Sequence, residues 1–414
     1  MDARTRLGEI SPYVYGTNYG PWMVVPFELM DEAEEARITF LRFPGGNWGD
    51  QNDLMPYQID QFIGLARRLG AEPSISVRLR GGSVKKAKEL IYYTNVEKGY
   101  NVRFWSIGNE PSLYPDYNTE RYNAEWRTYA LALKEVDPNI LLIGPDIHQY
   151  TGNPDTDPKD SAGKDWMEEF LRANGDLVDI VSIHRYPFPR DKISPPATVA
   201  ELRENSREWD EIIPKLREKI RQITGRDLPV AVTEVNSHWS KAVGGEATPD
   251  SFYNAIWWAD VLGRLIRQQV YIVAHFCLQT PSGSGGWGLL ESREVRPTYY
   301  VYRMYRHFGE KLVLSSSDSP EVSVYASIRS DGSLALMLVN LGDNEVLKPL
   351  TLEGFRPSGL AEHWLFDSRY KAEKVGEIAL KNGFELNLPA RSVSLFLIPG
   401  RILHHTELGK LPDE

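Results

Sequence analysis

At 414 residues the chain is long enough for one large α/β domain plus a smaller one, since α/β barrels occupy about 250 residues as a single unit. Charged residues make up 25% and hydrophobic ones 42%, and no apolar stretch approaches the ~20 residues that cross a bilayer, which excludes a membrane-spanning reading. The formal charge of -10 argues against nucleic acid or anionic lipid as the main partner, because both need a basic surface, and neutral substrates fit better.

The start, Met1-Asp2-Ala3-Arg4, has no basic segment followed by an apolar one, so no signal peptide is expected in this sequence. Export with a signal already removed and a cytoplasmic location both stay open. Eight strand-like runs follow, at residues 14–20, 38–46, 73–79, 102–110, 140–147, 177–186, 228–236 and 271–278, each followed by a helix or a loop and helix. The intervening helices show 3.6-residue periodicity. One carries Ile59, Phe62, Ile63, Ala66 and Leu69 and is closed by Gly70; another runs from Thr119 through Trp126 and Leu133 to a stop at Asp137-Pro138. Eight βα units predict a closed (β/α)8 TIM barrel over residues 12–308, with a doubly wound open sheet as the alternative.

Beyond Phe308-Gly309 the pattern changes to short alternating strands at 322–327, 334–341, 384–388 and 392–398, with turn signals at Asp331-Gly332 and Gly342-Asp343-Asn344. This predicts an all-β sandwich over residues 309–400, to which residues 1–11 add an edge strand.

Within the barrel, the runs ending Ser106-Ile107-Gly108-Asn109-Glu110-Pro111 and Val232-Thr233-Glu234-Val235-Asn236 each break at a Glu. Each reads as a buried strand that delivers one carboxylate to its C-terminal end, the face where barrel enzymes keep their chemistry. Strands four and seven face each other across the mouth, so Glu110 and Glu234 are expected to converge. Paired carboxylates are the minimal equipment for cleaving a glycosidic bond. A spacing of about 5–5.5 Å implies retention of anomeric configuration, and about 6.5–9.5 Å implies inversion.

Asn109-Glu110-Pro111 on a fourth strand, His184-Arg185-Tyr186 on a sixth and Glu234 on a seventh resemble the clan A retaining glycoside hydrolases. Ile10-Ser11-Pro12-Tyr13-Val14-Tyr15-Gly16 and Phe43-Pro44-Gly45-Gly46-Asn47 look like the arabinofuranosidase, β-xylosidase and endoglucanase families that pair a barrel with a β-sandwich. The segment from Ile107 to Tyr114 and Thr233-Glu234-Val235-Asn236-Ser237 are similar to the β-glucuronidase and heparanase-like family. The resemblance implies Glu110 as general acid/base, Glu234 as nucleophile and Asn109 as partner of the substrate 2-hydroxyl. It also implies Arg42 as the residue that keeps the nucleophile ionised. A cation beside Glu234 agrees with that assignment, and Glu110, ending an apolar strand with no such partner, is expected to be raised toward neutrality. His184 and Tyr186 share one strand face and are expected to bind substrate or the nucleophile, with a satisfied core pair as the alternative.

Trp22, Trp48, Trp239 and Trp287 fall in loops after strands, where aromatic faces stack on sugars, and Asn18, Asn47 and Asp50 occupy the same rim. Arg78 and Arg80 share a face at the end of the third strand, placed either to bind a uronate carboxylate or to pair with acidic rim residues. Gly283-Ser284-Gly285-Gly286-Trp287-Gly288 matches a dinucleotide pattern formally, but it follows the last strand and does not run directly into a helix. A phosphate site there is the better rival, which would leave a phosphosugar enzyme or a non-catalytic sugar-binding barrel as readings of another class. The lone Cys277 reads as a small core residue, and the absence of His-x-His or His-Glu-x-x-His, with His404-His405 in a polar tail, argues against a metal. The expected partner is a carbohydrate, with no cofactor; the oligomeric state is left open.

Overall fold

The computed structural model describes residues 1–403, so His404-His405 lie outside the described residues. Eight parallel strands close into a barrel: Gly16–Asn18, Phe40–Phe43, Glu72–Val77, Phe104–Ile107, Leu141–Ile147, Ile180–Arg185, Val230–Val235 and Ile272–His275, the first pairing with both the second and the eighth. They are numbered here as barrel strands 1 to 8. The open-sheet alternative is thereby removed. Each strand is shorter than its apolar run in the sequence, because the ends of those runs turn into the loops that carry polar residues.

The barrel interior is filled at its base by Phe40, Phe104, Ile143, Ile180, Ala231, Ile272 and Ala274, all nearly inaccessible to solvent. That plug leaves only the C-terminal mouth for chemistry. Helix Pro56–Leu69 buries its apolar stripe against the strands and ends at Gly70, whose φ of 69° supplies the left-handed cap. Helix Thr119–Val136 starts on Asn118, whose side chain accepts from Arg121 N, and stops before Pro138.

A seven-stranded antiparallel sheet holds Asp2–Glu9 at one edge, next to Lys311–Leu314, and then Val322–Ile328, Leu334–Asn340, Ser392–Ile398, Ala361–Phe366 and Lys371–Ile378. Two short ladders, Val346–Pro349 with Glu385–Leu388 and Phe355–Pro357 with Gly400–Ile402, cover its outer face. Period-two alternation divides the central strands between two cores. Val324, Ala326, Leu336, Leu338 and Phe396 point into the sandwich, while Tyr325, Met337, Val339 and Leu395 join the core that continues into the barrel.

The seam is closed by helix Phe252–Arg267, whose residues Tyr253 to Ile266 are all buried. Gly263 is needed there, since a Cβ would meet the Tyr325 ring at 2.3 Å.

Candidate active site

Barrel strand 7 carries Glu234 at its penultimate position, 3% exposed. Its Oε1 accepts from Arg42 Nη1 at 2.8 Å and from Gly46 N at 2.9 Å, and its Oε2 accepts from the Tyr186 hydroxyl at 2.7 Å. Tyr186 keeps its proton, because burial first and then the charge of Glu234 push its hydroxyl well above the ordinary value. Gly46 presents its amide from a left-handed turn (φ 68°) directly after strand 2. Arg42, fully buried in strand 2, is held through both Nη atoms, which also reach Asn18 Oδ1 at 3.1 Å, Asn109 Oδ1 at 2.8 Å and Asp146 Oδ2 at 3.0 Å.

Glu110 lies three residues past the end of strand 4, in the left-handed region at φ 46°, after a turn at Gly108 (φ 76°). A non-glycine residue there costs of order 1–3 kcal/mol and marks a constrained position. Its Oε1 meets two histidines, His148 Nδ1 and His184 Nδ1, each at 2.9 Å. The expectation that Glu110 lacks a cationic partner and rises toward neutrality is therefore wrong. Burial does push its carboxyl up, but the hydrogen bonds and charges of His148 and His184 outweigh it and hold the carboxyl below its usual range.

His184 joins the two carboxylates. It is wholly buried, 2.9 Å from Glu110 and 3.7 Å from Glu234 Oε2, and its Nε2 is 3.7 Å from Asp146 Oδ1. Desolvation lowers its pKa, yet Glu234, Asp146 and Glu110 together raise it to about 9. It is thus an imidazolium at neutral pH. One oxygen of Glu110, one of Glu234 and a nitrogen of His184 all lie within 4.8 Å of one another, close enough to hold a metal ion. The donors suit a proton network better: His184 retains its proton, and the Arg42 cation already occupies Glu234.

The two carboxylates open into a cavity of about 1120 Å³ at the C-terminal mouth. Leu113 and Asn47 line one side, and Trp239, Phe276 and Trp287 line another. The indole N–H groups of Trp239 and Trp287 donate to the carbonyls of Pro189 (2.7 Å) and His238 (2.8 Å), which fixes both rings in the wall.

No protein-family model matches the chain. It is 24% identical over 207 residues to an intracellular exo-α-(1→5)-L-arabinofuranosidase of Streptomyces lividans, covering 40% of this chain and 30% of that protein. It is 26% identical over 273 residues to a β-xylosidase of Geobacillus stearothermophilus, covering 58% and 47%. The chain thus matches less than half the length of either curated relative. Among solved structures, an α-L-arabinofuranosidase from Thermotoga maritima in complex with arabinose superimposes with a TM-score of 0.75 at 19% identity, covering 95% of this chain and 98% of that one. Its homologues are clan A glycoside hydrolases. At that identity the structural likeness establishes the barrel-plus-sandwich fold.

Several residues expected at the site lie elsewhere. Asn18 is fully buried beneath the mouth, its Nδ2 donating to the carbonyls of Thr233 (2.9 Å) and Ala274 (3.2 Å) and its Oδ1 occupied by Arg42, so it braces the arginine and does not reach the cavity. Trp48 packs on Trp22 (ring centroids 6.5 Å apart) at the rim, outside the cavity lining. Arg78 donates from Nε to the carbonyls of Asp50 and Arg80, both at 3.0 Å, pairs with Asp53 at 3.6 Å and faces a separate cavity of about 310 Å³. Arg80 sits over the Tyr114 ring, 4.0 Å from Asp116. Of the two roles open to Arg78 and Arg80, these contacts favour pairing at the rim.

Asp146 and His148 were not singled out from the sequence. Asp146 closes the strand-5 run in Gly144-Pro145-Asp146, a carboxylate at the end of a barrel strand, which is the same signal that marked Glu110. The glycine run at 283–288 folds as a loop between strand 8 and helix Pro297–Tyr305, where it delivers Trp287 to the cavity.

Proposed function

We propose that this protein is a retaining glycoside hydrolase acting on a plant cell-wall glycan, with Glu234 as nucleophile and Glu110 as general acid and then base. The observation that carries the reading is the approach of the two carboxylates to within 4.8 Å at the cavity floor. So close an approach of one oxygen from each favours double displacement over the ~6.5–9.5 Å between carboxyl groups that leaves room for an attacking water. Glu234 Oε1 is held by Arg42 and Gly46, and Oε2 by Tyr186, so the carboxylate is fixed for attack on the anomeric carbon while the bond to the leaving oxygen breaks.

The leaving oxygen takes a proton from Glu110. Glu110 and His184 titrate as a pair across their shared contact, and the acid forms when a proton moves from Nδ1 to Oε1. In the second half, Glu110 takes a proton from water, which attacks the glycosyl-Glu234 ester and releases the sugar with its original anomeric configuration. Asn109 keeps one Nδ2 hydrogen on Asn47, and its second is available to a substrate hydroxyl. The names of the relatives favour an arabinofuranosyl or β-xylosyl unit at the reacting position.

The test is turnover of aryl α-L-arabinofuranosides, β-xylosides and β-glucosides, with the first-formed anomer followed by NMR. Retention is expected. Inversion would overturn the double displacement, and no cleavage of any of the three would overturn the glycosidase reading.

A further inference from the structure

The proposed reaction occupies the floor of the cavity, and its lip carries charge that the reaction does not use. The loop after strand 6 brings Arg190, Asp191 and Lys192, all exposed, into the lining of the same cavity. Asp191 is turned onto its own loop: its Oδ1 accepts from Ile193 N at 2.9 Å and Ser194 N at 2.8 Å, and these bonds lower its carboxyl. Arg42, Arg78 and Arg185 are each tied to a carboxylate, whereas among the described residues no carboxylate stands within ion-pair distance of Arg190 or Lys192. Arg190 reaches Glu201 only as a longer-range charge. The root of the loop is fixed, since Phe188 N donates to Ser237 O and Trp239 N to Phe188 O, both at 2.9 Å, and Trp239 Nε1 holds Pro189 O. The chain carries a net charge of -10, so two neighbouring cations left unmatched on the cavity wall run against the overall balance.

We propose that Arg190 and Lys192 form a subsite for a uronate carboxylate carried by the glycan beside the bond that is cleaved. The proposal rests on the glycosidase reading and narrows its substrate to an acidic, substituted glycan. The reacting sugar itself is taken as neutral, following the arabinofuranosidase and β-xylosidase relatives. The cavity, about 1120 Å³, exceeds the ~300–1,000 Å³ that holds a drug-sized ligand, so it has room for sugars on either side of the cleaved bond. A guanidinium takes a carboxylate through two parallel hydrogen bonds, and the neighbouring ammonium adds a point charge.

The experiment compares linear xylo-oligosaccharides with the same oligosaccharides bearing one glucuronate, as kcat/KM for the wild type and the Arg190→Gln/Lys192→Gln variant. Both substitutions are of exposed side chains, so folding is retained. The wild type is expected to prefer the acidic substrate by about tenfold or more, the scale of one charge-assisted hydrogen bond. That preference is expected to vanish in the variant and to shrink at about 0.5 M salt. An unchanged ratio in the variant would overturn the subsite. If the wild type cleaves neither these nor any aryl glycoside, it is the glycosidase reading that has failed. Calorimetric titration with the same two oligosaccharides then decides the subsite alone: tighter binding of the acidic one, lost in the variant, supports it, and equal binding overturns it.

Discussion

Two buried arginine clusters in this molecule use the same chemistry to different ends. At the barrel mouth, Arg42 stands among Glu234, Asp146 and, through His184, Glu110. At the seam with the sandwich, Arg264 binds Asp260 at 2.8 Å and also meets Asp210, while Arg267 pairs with Asp210 at 3.0 Å and Tyr325 donates to Asp260 at 2.6 Å. The seam is balanced, two cations to two carboxylates, and its central Asp260 is wholly buried. The mouth carries an excess of carboxylates, a protonated histidine between them and an open cavity on one side. Burial and pairing are therefore shared by a structural brace and a candidate site. The surplus acid, the movable proton and the room for a ligand are what distinguish the site.

The largest effect that separates the two clusters is expected from Glu234→Ala. It removes the proposed nucleophile while Arg42 keeps Asp146, Asn109 and Asn18, so turnover is expected to be lost and the melting temperature kept. Azide is expected to restore part of the cleavage of activated glycosides. Activity above about one per cent of wild type would break the assignment. Glu110→Ala is expected to cost about 10²–10⁴-fold on natural glycans and far less on nitrophenyl glycosides, whose leaving groups need little acid assistance. Equal losses on both would make Glu110 a structural residue like Asp260.

Arg264→Met tests the other cluster. It leaves Asp260 buried without its cation, which typically costs about 3–5 kcal/mol. A lower midpoint in denaturant, with kcat of the folded fraction unchanged, is expected. A stability equal to wild type would mean that Tyr325 suffices to hold Asp260.

The barrel was legible because eight β-branched apolar runs survive burial on both faces, and the two glutamates because each interrupts such a run. The strand Lys371–Ile378 was not, since it is mostly exposed and rich in Lys and Glu. Arg42 was reached through family resemblance, and its position at the centre of four acceptors depends on strands 1, 2, 4, 5 and 7 meeting in space. His148 carries no periodic signal; only closure of the barrel puts it on Glu110. Arg78 was left between two roles for the converse reason, since sequence gives a side chain's strand face and not the backbone carbonyls that hold it.

The smallest expected effect concerns Asp50, a carboxyl beside the site that lacks an arginine partner of its own. The Tyr114 hydroxyl donates to Asp50 Oδ1 and accepts from Asn109 N at 3.0 Å, so the pair steadies the turn that carries Glu110. Burial, with the charge of Glu110 added, pushes Asp50 up to about 7, against the hydrogen bond from Tyr114 and the more distant charge of Arg42. Its unfolded value is about 3.9, so between about pH 4 and 7 the folded state holds a proton that the unfolded state has released, and stability falls as pH rises through that window. Asp50→Asn keeps an acceptor for Tyr114 and removes the titration. The variant is therefore expected to lose less stability than wild type between pH 5 and 8, by about 1–3 kcal/mol in denaturant midpoints converted to free energy. Parallel stability curves for the two proteins would show that Asp50 is already ionised in the fold.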